Sequence, residues 1–188
     1  MKSILKFLIR ILLSPWRWRR QRRDGVLSNE ARQEIPNDVL LGLVRDMLKN
    51  GGTDAESGEH FAHHTATIWV KGYSMRPFLE HMRDRVVLAY PERPLQEWDA
   101  VLAEISPGHY VLHRIINIEG DNVTLMGDGN VRGTERCKLS DVCGIVTHYI
   151  RPKRTILATD EKLIRRIKRW RKWLKWRRYL LFLYKATV

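Results

Sequence analysis

Cysteine is scarce in this sequence, with only Cys137 and Cys143 among 188 residues. Two cysteines cannot form the set of disulfides that stabilises small secreted domains. Their spacing also fits no zinc-binding pattern, because His148 is the only histidine after His113. We therefore predict no metal and no cofactor. We interpret the cysteines as ordinary reduced thiols, although the sequence leaves open whether they pair.

A long uncharged apolar run is also missing. A transmembrane helix needs about 20 largely apolar residues, whereas the apolar stretch 4–13 contains Lys6 and Arg10 and leads into a basic segment. No small-residue cleavage site follows this stretch, so a signal peptide is not expected. Lys2, Lys6 and Arg10 recur at every fourth residue. This spacing predicts a basic amphipathic helix within residues 1–23 that does not span a membrane.

Acidic residues are almost absent from both ends of the chain. Residues 1–23 contain eight Lys or Arg and no acid, and residues 161–188 contain eleven against Glu161 alone. Residues 24–160 have fifteen Lys or Arg against twenty acids, so the net charge of +13 comes from the ends. Because the middle of the chain is mildly acidic, its surface is a poor binder of phosphate, and we expect no nucleic-acid partner.

Residues 160–188 have the pattern of a basic, tryptophan-rich amphipathic helix. The apolar side consists of Leu163, Ile167, Trp170, Leu174 and Leu181, and the opposite side carries Arg165, Lys168, Arg169, Lys172 and Lys175. Tryptophan beside basic residues suits the headgroup region of an anionic bilayer. We expect a peripheral membrane anchor on the cytoplasmic face, unless one of the ends inserts. The alternative is a helix that packs on its own domain and leaves its basic face in solvent.

The middle of the chain predicts a helix followed by a β-rich domain. A short amphipathic helix is expected over residues 36–50, where Asn50 and two glycines end it. Within residues 65–151 the apolar period changes to two, and turn residues separate about six strands. These strands cover residues 67–70, 85–89, 100–103, 110–118, 122–126 and 142–150. The predicted fold class is mainly β, a β-rich α+β domain with amphipathic helices at its ends.

Three segments of this domain carry residues suited to catalysis. Ser74 lies in a turn between a glycine and a proline, which can expose a hydroxyl. His113 and Arg114 interrupt an otherwise apolar strand, where charge needs a reason. Asp128 lies between two glycines at the end of another strand. Taken singly, each has an ordinary structural explanation: a turn serine, a hydrogen-bonded core histidine and a hairpin aspartate.

Taken together and in this order, the three segments resemble the signal peptidases and the related self-cleaving SOS repressors. The resemblance covers roughly residues 65–151. Met75 and Pro77 match the family's Ser-Met-x-Pro element, residues 96–101 are similar to its Gly-Asp-x-Val stretch with Trp in place of Gly, and residues 141–146 look like its closing strand. The resemblance implies a β-rich catalytic fold and a serine endopeptidase that cleaves an extended peptide.

The residue at the base position indicates the branch of this family. Bacterial signal peptidases and SOS repressors have a Lys base there, whereas this chain has His113. The resemblance is therefore nearest to the endoplasmic-reticulum-type branch of eukaryotes, archaea and some bacteria. It implies Ser74 as nucleophile, His113 as the base that takes its proton, and Asp128 as the acid that orients His113. Glu135, close to where that branch has an additional Asp, is the alternative orienting acid.

The resemblance also suggests supporting roles. We expect Gly72, Met75 and Pro77 to shape the turn and line the substrate cleft. Gly72 stands where some bacterial members place an oxyanion-hole hydroxyl, so backbone donors such as the nucleophile's own N–H must serve here. Arg114 is expected to pair with Asp128 or Asp99.

Two other functions remain open. One is a catalytically inactive, membrane-docking interaction module of the same fold. The other is a transcriptional regulator like the SOS repressors, but only one helix, near residues 39–48, precedes the strands. Because no basic recognition helix is visible there, the regulator is disfavoured. The sequence does not identify the substrate peptide.

Overall fold

A computed structural model describes residues 37–50 and 65–185. The expected amphipathic helix within residues 1–23 lies outside the described residues. The other predicted segments fall on the described part of the chain, apart from residues 36 and 186–188.

The described chain forms one antiparallel sheet with three α-helices. The strands are β1 (Thr65–Trp69), β2 (Arg85–Ala89), β3 (Ala100–Ser106), β4 (His109–Glu119), β5 (Asn122–Met126), β6 (Glu135–Lys138), β7 (Val142–Arg151) and β8 (Arg154–Leu157). The helices are α1 (Asn37–Asn50), α2 (Glu161–Lys172) and α3 (Arg177–Lys185). The strand order is β1-β2-β7-β3-β4-β5-β6, and β8 pairs with the second half of β7. The prediction of a mainly β, α+β fold is confirmed.

The sequence did not predict β6 and β8. Each is only four residues long, and their sequences, Glu-Arg-Cys-Lys and Arg-Thr-Ile-Leu, lack a clear apolar alternation. Both form because a neighbouring strand offers unpaired backbone groups: β5 pairs with β6, and β7 pairs with β8. Short, charged strands are typical of sheet edges, and β6 matters here because Glu135 is its first residue.

The sheet separates two clusters of buried apolar residues. Neighbouring residues alternate between them, so that Val101 belongs to one cluster and Leu102 to the other. The cluster that contains Leu102 is covered by α1 and by the C-terminal helices. The other cluster is formed mainly by β3, β4, β5, β6 and β7. A residue's position along a strand therefore decides which side of the sheet its side chain occupies.

The C-terminal helices pack on the first cluster. Asp160 caps α2 by accepting a hydrogen bond from the Leu163 N–H at 2.7 Å, and a 3₁₀ turn at Leu174–Trp176 joins α2 to α3. Leu163, Ile167 and Trp170 are 2–5% exposed. These three residues pack on the chain's own domain, which is the alternative given above, and membrane contact by the segment stays a prediction.

The sequence pattern could not decide this point, because a helical period reveals an apolar side without revealing what covers it. Here the open face of the sheet supplies the cover. None of the described helices has the length and apolar character needed to cross a bilayer.

Candidate active site

Ser74 lies in a tight turn that follows β1. The amide of Arg76 donates to the Tyr73 carbonyl at 3.2 Å, and the amide of Leu79 donates to the Met75 carbonyl at 3.0 Å. Met75 and Leu79 are 2% and 0% exposed and anchor the turn in the core, whereas Ser74 is only half-buried. The turn therefore holds the serine at the protein surface on a fixed support.

The structure places the three expected turn residues differently. Met75 is buried beneath the turn, Pro77 is half-buried within it, and Gly72 is exposed. Gly72 has φ +90°, a conformation that favours glycine. Its amide donates to Nδ1 of His81 at 2.9 Å, and the Tyr73 ring lies 5.0 Å from the His81 ring. His81, which the sequence analysis did not single out, therefore stabilises the start of the turn.

A second loop, residues 127–130, packs directly against this turn. The amide of Gly129 donates to the Ser74 carbonyl at 2.6 Å. A Cβ on Gly127 would lie 2.5 Å from that same carbonyl, and a Cβ on Gly129 would lie 2.8 Å from the Tyr73 carbonyl. Both glycines are therefore needed for the close approach of the two loops.

His113 lies on β4, one residue before Arg114. In the antiparallel pairing of β4 with β5, Arg114 is opposite Met126, and His113 and Gly127 are the next residues along the two segments. Gly127 also packs against the Ser74 carbonyl, so the loop that follows β5 links the end of the β4–β5 pair to the serine turn. Among the described residues the Ser74 hydroxyl forms no hydrogen bond, either to His113 or to another group. Such bonds are often long in free enzymes and tighten when substrate binds.

The acid on His113 is Glu135. His113 Nδ1 lies 2.9 Å from Glu135 Oε2, and the two side chains are 7% and 24% exposed. A carboxylate that accepts the Nδ1 proton fixes the ring orientation and leaves Nε2 as the nitrogen that can take a proton. Of the two acids that the sequence left open, Glu135 is the one that contacts His113.

Asp128 instead binds Arg114, so its expected role as the acid that orients His113 is not the one observed. Arg114 donates from Nε to Asp128 Oδ1 at 2.9 Å and from Nη2 to Oδ2 at 2.6 Å, with side chains 3% and 7% exposed. Burial by itself lowers the pKa of Arg114, but the attraction of Asp128 and a contact with Tyr149 outweigh it and raise the pKa overall. Arg114 therefore stays charged.

The expected pairing of Arg114 with an acid is confirmed. Of the two acids considered, Asp128 is the partner, because Asp99 binds Arg93 at 2.7 Å. Arg114 also donates to the Trp98 carbonyl at 2.7 Å. This buried ion pair fixes the 127–130 loop and through it the place of Ser74.

The C-terminal helices hold both loops, which the sequence analysis missed. Trp170 Nε1 donates to the Asp128 carbonyl at 2.7 Å, and Arg177 Nη1 donates to the Asn130 carbonyl at 2.6 Å. The Tyr184 hydroxyl donates to Glu80 at 3.0 Å, next to the serine turn. The only feature of the sequence that pointed to these contacts was a tryptophan and an arginine at helical spacing.

Arg177 is an unusual anchor because it is 2% exposed and its Nε has no hydrogen-bond partner among the described residues. Its guanidinium lies 5.5 Å from the centre of the Trp170 ring. Burial lowers the pKa of Arg177 to about 10, so it remains charged near neutral pH. Burying a cation in this way is unfavourable, and it is offset here by the loop carbonyl and the indole face.

The cysteines are unpaired. Cys137 and Cys143 are both buried and free, and burial raises the pKa of Cys137 to about 11. They are therefore unreactive thiols near neutral pH. Within the described ranges no group of three His, Cys, Asp or Glu side chains is arranged to hold a metal ion.

Comparisons with known proteins returned no match: none was found among the protein-family models, the curated proteins or the solved structures. The resemblance to signal peptidases therefore depends on the motifs of this chain.

Proposed function

We propose that this chain is a serine endopeptidase of the signal-peptidase type, with Ser74 as nucleophile, His113 as general base and Glu135 as the residue that orients the base. The observation that carries the proposal is the 2.9 Å contact between His113 Nδ1 and Glu135, which gives the histidine of the motif a carboxylate partner. A serine hydroxyl is a weak nucleophile until a base takes its proton.

The chemistry follows from this arrangement. His113 Nε2 takes the proton of the Ser74 hydroxyl as its oxygen attacks the carbonyl carbon of the peptide. The imidazolium then gives this proton to the leaving amine, and an acyl-enzyme remains. Water attacks the acyl group in the same manner and releases Ser74. The Glu135 carboxylate stabilises the positive charge on His113 during both steps.

The oxyanion of each tetrahedral intermediate requires hydrogen-bond donors. Within the described residues the backbone N–H of Ser74 donates to no other group. It is thus open to receive a developing negative charge, and removal of one such donor typically costs about 3 kcal/mol in the transition state. Gly72 offers no hydroxyl, so backbone groups carry this role in the proposal.

The substrate in this proposal is an extended peptide. β1 leads directly into the Ser74 turn, and in the described sheet it pairs with β2 on one side only. The free edge of a strand can accept a peptide as an additional strand, with backbone hydrogen bonds giving affinity. A peptide bound along β1 has its direction set toward Ser74.

We propose that the protein acts at an anionic membrane surface, to which it binds peripherally on the cytoplasmic face. The support is the charge of the chain ends: residues 1–23 carry eight Lys or Arg, and residues 161–188 carry eleven. Each Lys or Arg near an anionic bilayer contributes about 1 kcal/mol of binding.

The second candidate is an inactive interaction module of the same fold. The observation that favours it is the absence, among the described residues, of a hydrogen bond between the Ser74 hydroxyl and His113. A fluorophosphonate probe, which reacts covalently with activated serines, separates the two candidates. The probe is incubated with wild type, Ser74→Ala and His113→Ala, each checked for folding by circular dichroism.

Ser106→Ala and His109→Ala are the matched controls, because both residues are exposed near the turn between β3 and β4. Labelling of wild type and of both controls, together with its loss in Ser74→Ala and His113→Ala, supports the peptidase. Equal labelling of Ser74→Ala and wild type refutes it. No labelling of folded wild type favours the inactive module.

A further inference from the structure

α3 has an apolar side that faces away from the domain. Its inner side carries Arg177 and Leu180, which are 2% and 8% exposed. Its opposite side, with the turn before it, carries Trp176, Tyr179 and Phe182, which are 66%, 66% and 73% exposed. We call these three residues the outer face of α3. They follow one another at intervals of three, and the rings of Trp176 and Tyr179 lie 6.2 Å apart.

Three aromatic side chains exposed together are uncommon on a monomeric domain and mark an interaction site. The surroundings of the outer face are strongly basic. Lys172, Lys175 and Arg178 are exposed, and the sequence contains no acidic residue from 162 to 185. The outer face therefore combines aromatic rings with exposed basic residues of the same segment.

We propose that the outer face of α3 docks on the surface of an anionic lipid bilayer. Trp176, Tyr179 and Phe182 enter the headgroup region, where aromatic rings with a polar edge are favoured. The neighbouring lysines and arginine lie over the lipid phosphates. This assignment refines the membrane location proposed above. The contact surface is the outer face of α3, because Leu163, Ile167 and Trp170 of the other apolar side are buried in the domain.

Charge complementarity favours this partner over two others, the N-terminal segment of this chain and a second copy of it. Residues 1–23 carry eight basic residues and no acid, so this segment is repelled by Lys172, Lys175 and Arg178. A second copy of α3 brings the same positive charges into contact. An anionic bilayer neutralises these charges and accepts the aromatic rings together.

Docking through α3 also has a consequence for the candidate active site. The inner side of α3 donates from Arg177 to the loop that packs on Ser74, and Tyr184 binds Glu80 beside the serine turn. A bilayer that binds the outer side therefore holds the loops of the site at a set position above the membrane.

The first experiment measures co-sedimentation of the full chain with phosphatidylcholine vesicles, with and without phosphatidylglycerol. The test variant is Trp176→Ala/Tyr179→Ala/Phe182→Ala. The matched control is Val39→Ala/Leu43→Ala/Met47→Ala on α1, three residues that are 50%, 57% and 41% exposed. We expect the test variant to lose at least about tenfold in partitioning onto anionic vesicles, and the control variant to lose little.

Neutralising these basic residues with Lys172→Gln/Lys175→Gln/Arg178→Gln is expected to lower partitioning by roughly two orders of magnitude. An unchanged partition coefficient in both variants overturns the proposal. Ser74→Ala is expected to bind like wild type. Because binding is read without turnover, failure of the peptidase proposal and failure of the docking proposal give different results.

A second experiment locates the contact. Since Cys137 and Cys143 are buried, a surface cysteine accepts a nitroxide label selectively. Phe182→Cys and Tyr90→Cys, both at exposed aromatic positions, are labelled in turn. We expect anionic vesicles to increase the access of oxygen to the label at position 182 and not at position 90. A change at 182 that appears only with an oligonucleotide, or only as the chain dimerises, refutes membrane docking.

Discussion

Glu135→Gln keeps the shape of the side chain that faces His113 but removes its charge. His113 is 7% exposed on its side chain, so water cannot replace the carboxylate in stabilising the imidazolium. Loss of the orienting acid in a serine-histidine system slows acylation by up to about 10⁴-fold. Because Glu135 is 24% exposed and partly screened, we expect a decrease of about 10³-fold, equivalent to roughly 4 kcal/mol.

Stability is expected to respond in the opposite order to activity. Glu135→Gln removes a partly exposed pair and lowers the free energy of unfolding by less than about 1 kcal/mol. Asp128→Asn leaves the guanidinium of Arg114 buried without a charged partner, which costs about 3–5 kcal/mol. The two variants therefore separate a residue that acts on the base from one that supports the loop.

The assay is the rate of fluorophosphonate labelling at a fixed probe concentration, measured together with urea unfolding. Glu119→Gln, an exposed acid at the end of β4, is the control and is expected to match wild type in both. Labelling of Glu135→Gln at the wild-type rate refutes the orienting role. A larger loss of stability in Glu135→Gln than in Asp128→Asn contradicts the assignment of the two acids.

Three further predictions follow from single contacts. Gly127→Ala puts a Cβ 2.5 Å from the Ser74 carbonyl, so it should separate the two loops and abolish labelling. Its control is Gly42→Ala in α1, where the nearest atom is 3.6 Å from the added Cβ. This control should stabilise the fold by up to about 1 kcal/mol. Trp170→Phe removes the indole N–H from the Asp128 carbonyl and should slow labelling while costing about 1 kcal/mol in urea unfolding. Burial raises the pKa of Cys137 from 9.0 to about 11, so the thiol of the unfolded chain loses its proton at a lower pH than that of the folded chain. The free energy of unfolding should therefore fall as the pH rises between these two values, and it should fall less in Cys137→Ala.

Each of these has an outcome that contradicts it. Wild-type labelling by Gly127→Ala shows that the loops need not meet as described. Unaltered labelling by Trp170→Phe shows that α2 does not position the site. Equal loss of stability above pH 9.0 in Cys137→Ala and wild type assigns that loss to other groups.

The period-two pattern was sufficient to predict the mainly β fold, because side chains alternate between the two faces of a strand whatever the pairing order. It was not sufficient to predict β6, the strand that begins at Glu135. That strand has four residues and little apolar character, and it exists because β5 offers it backbone partners. Edge strands of this kind are stabilised by pairing with a neighbouring strand, and the sequence of the strand itself does not reveal that partner.

The sequence by itself determined the strand pattern, the charge at the chain ends and the residue types that suit acylation: a serine in a turn, a histidine in an apolar strand and two acids beyond it. Tertiary structure decided which acid contacts His113 and which contacts Arg114. His113 and Arg114 are neighbours on β4, so their side chains point to opposite faces of the sheet, and Glu135 and Asp128 are divided between them. It also decided that one apolar side of the C-terminal helices is buried and another exposed, because burial depends on what packs against a surface and not on the period of the sequence.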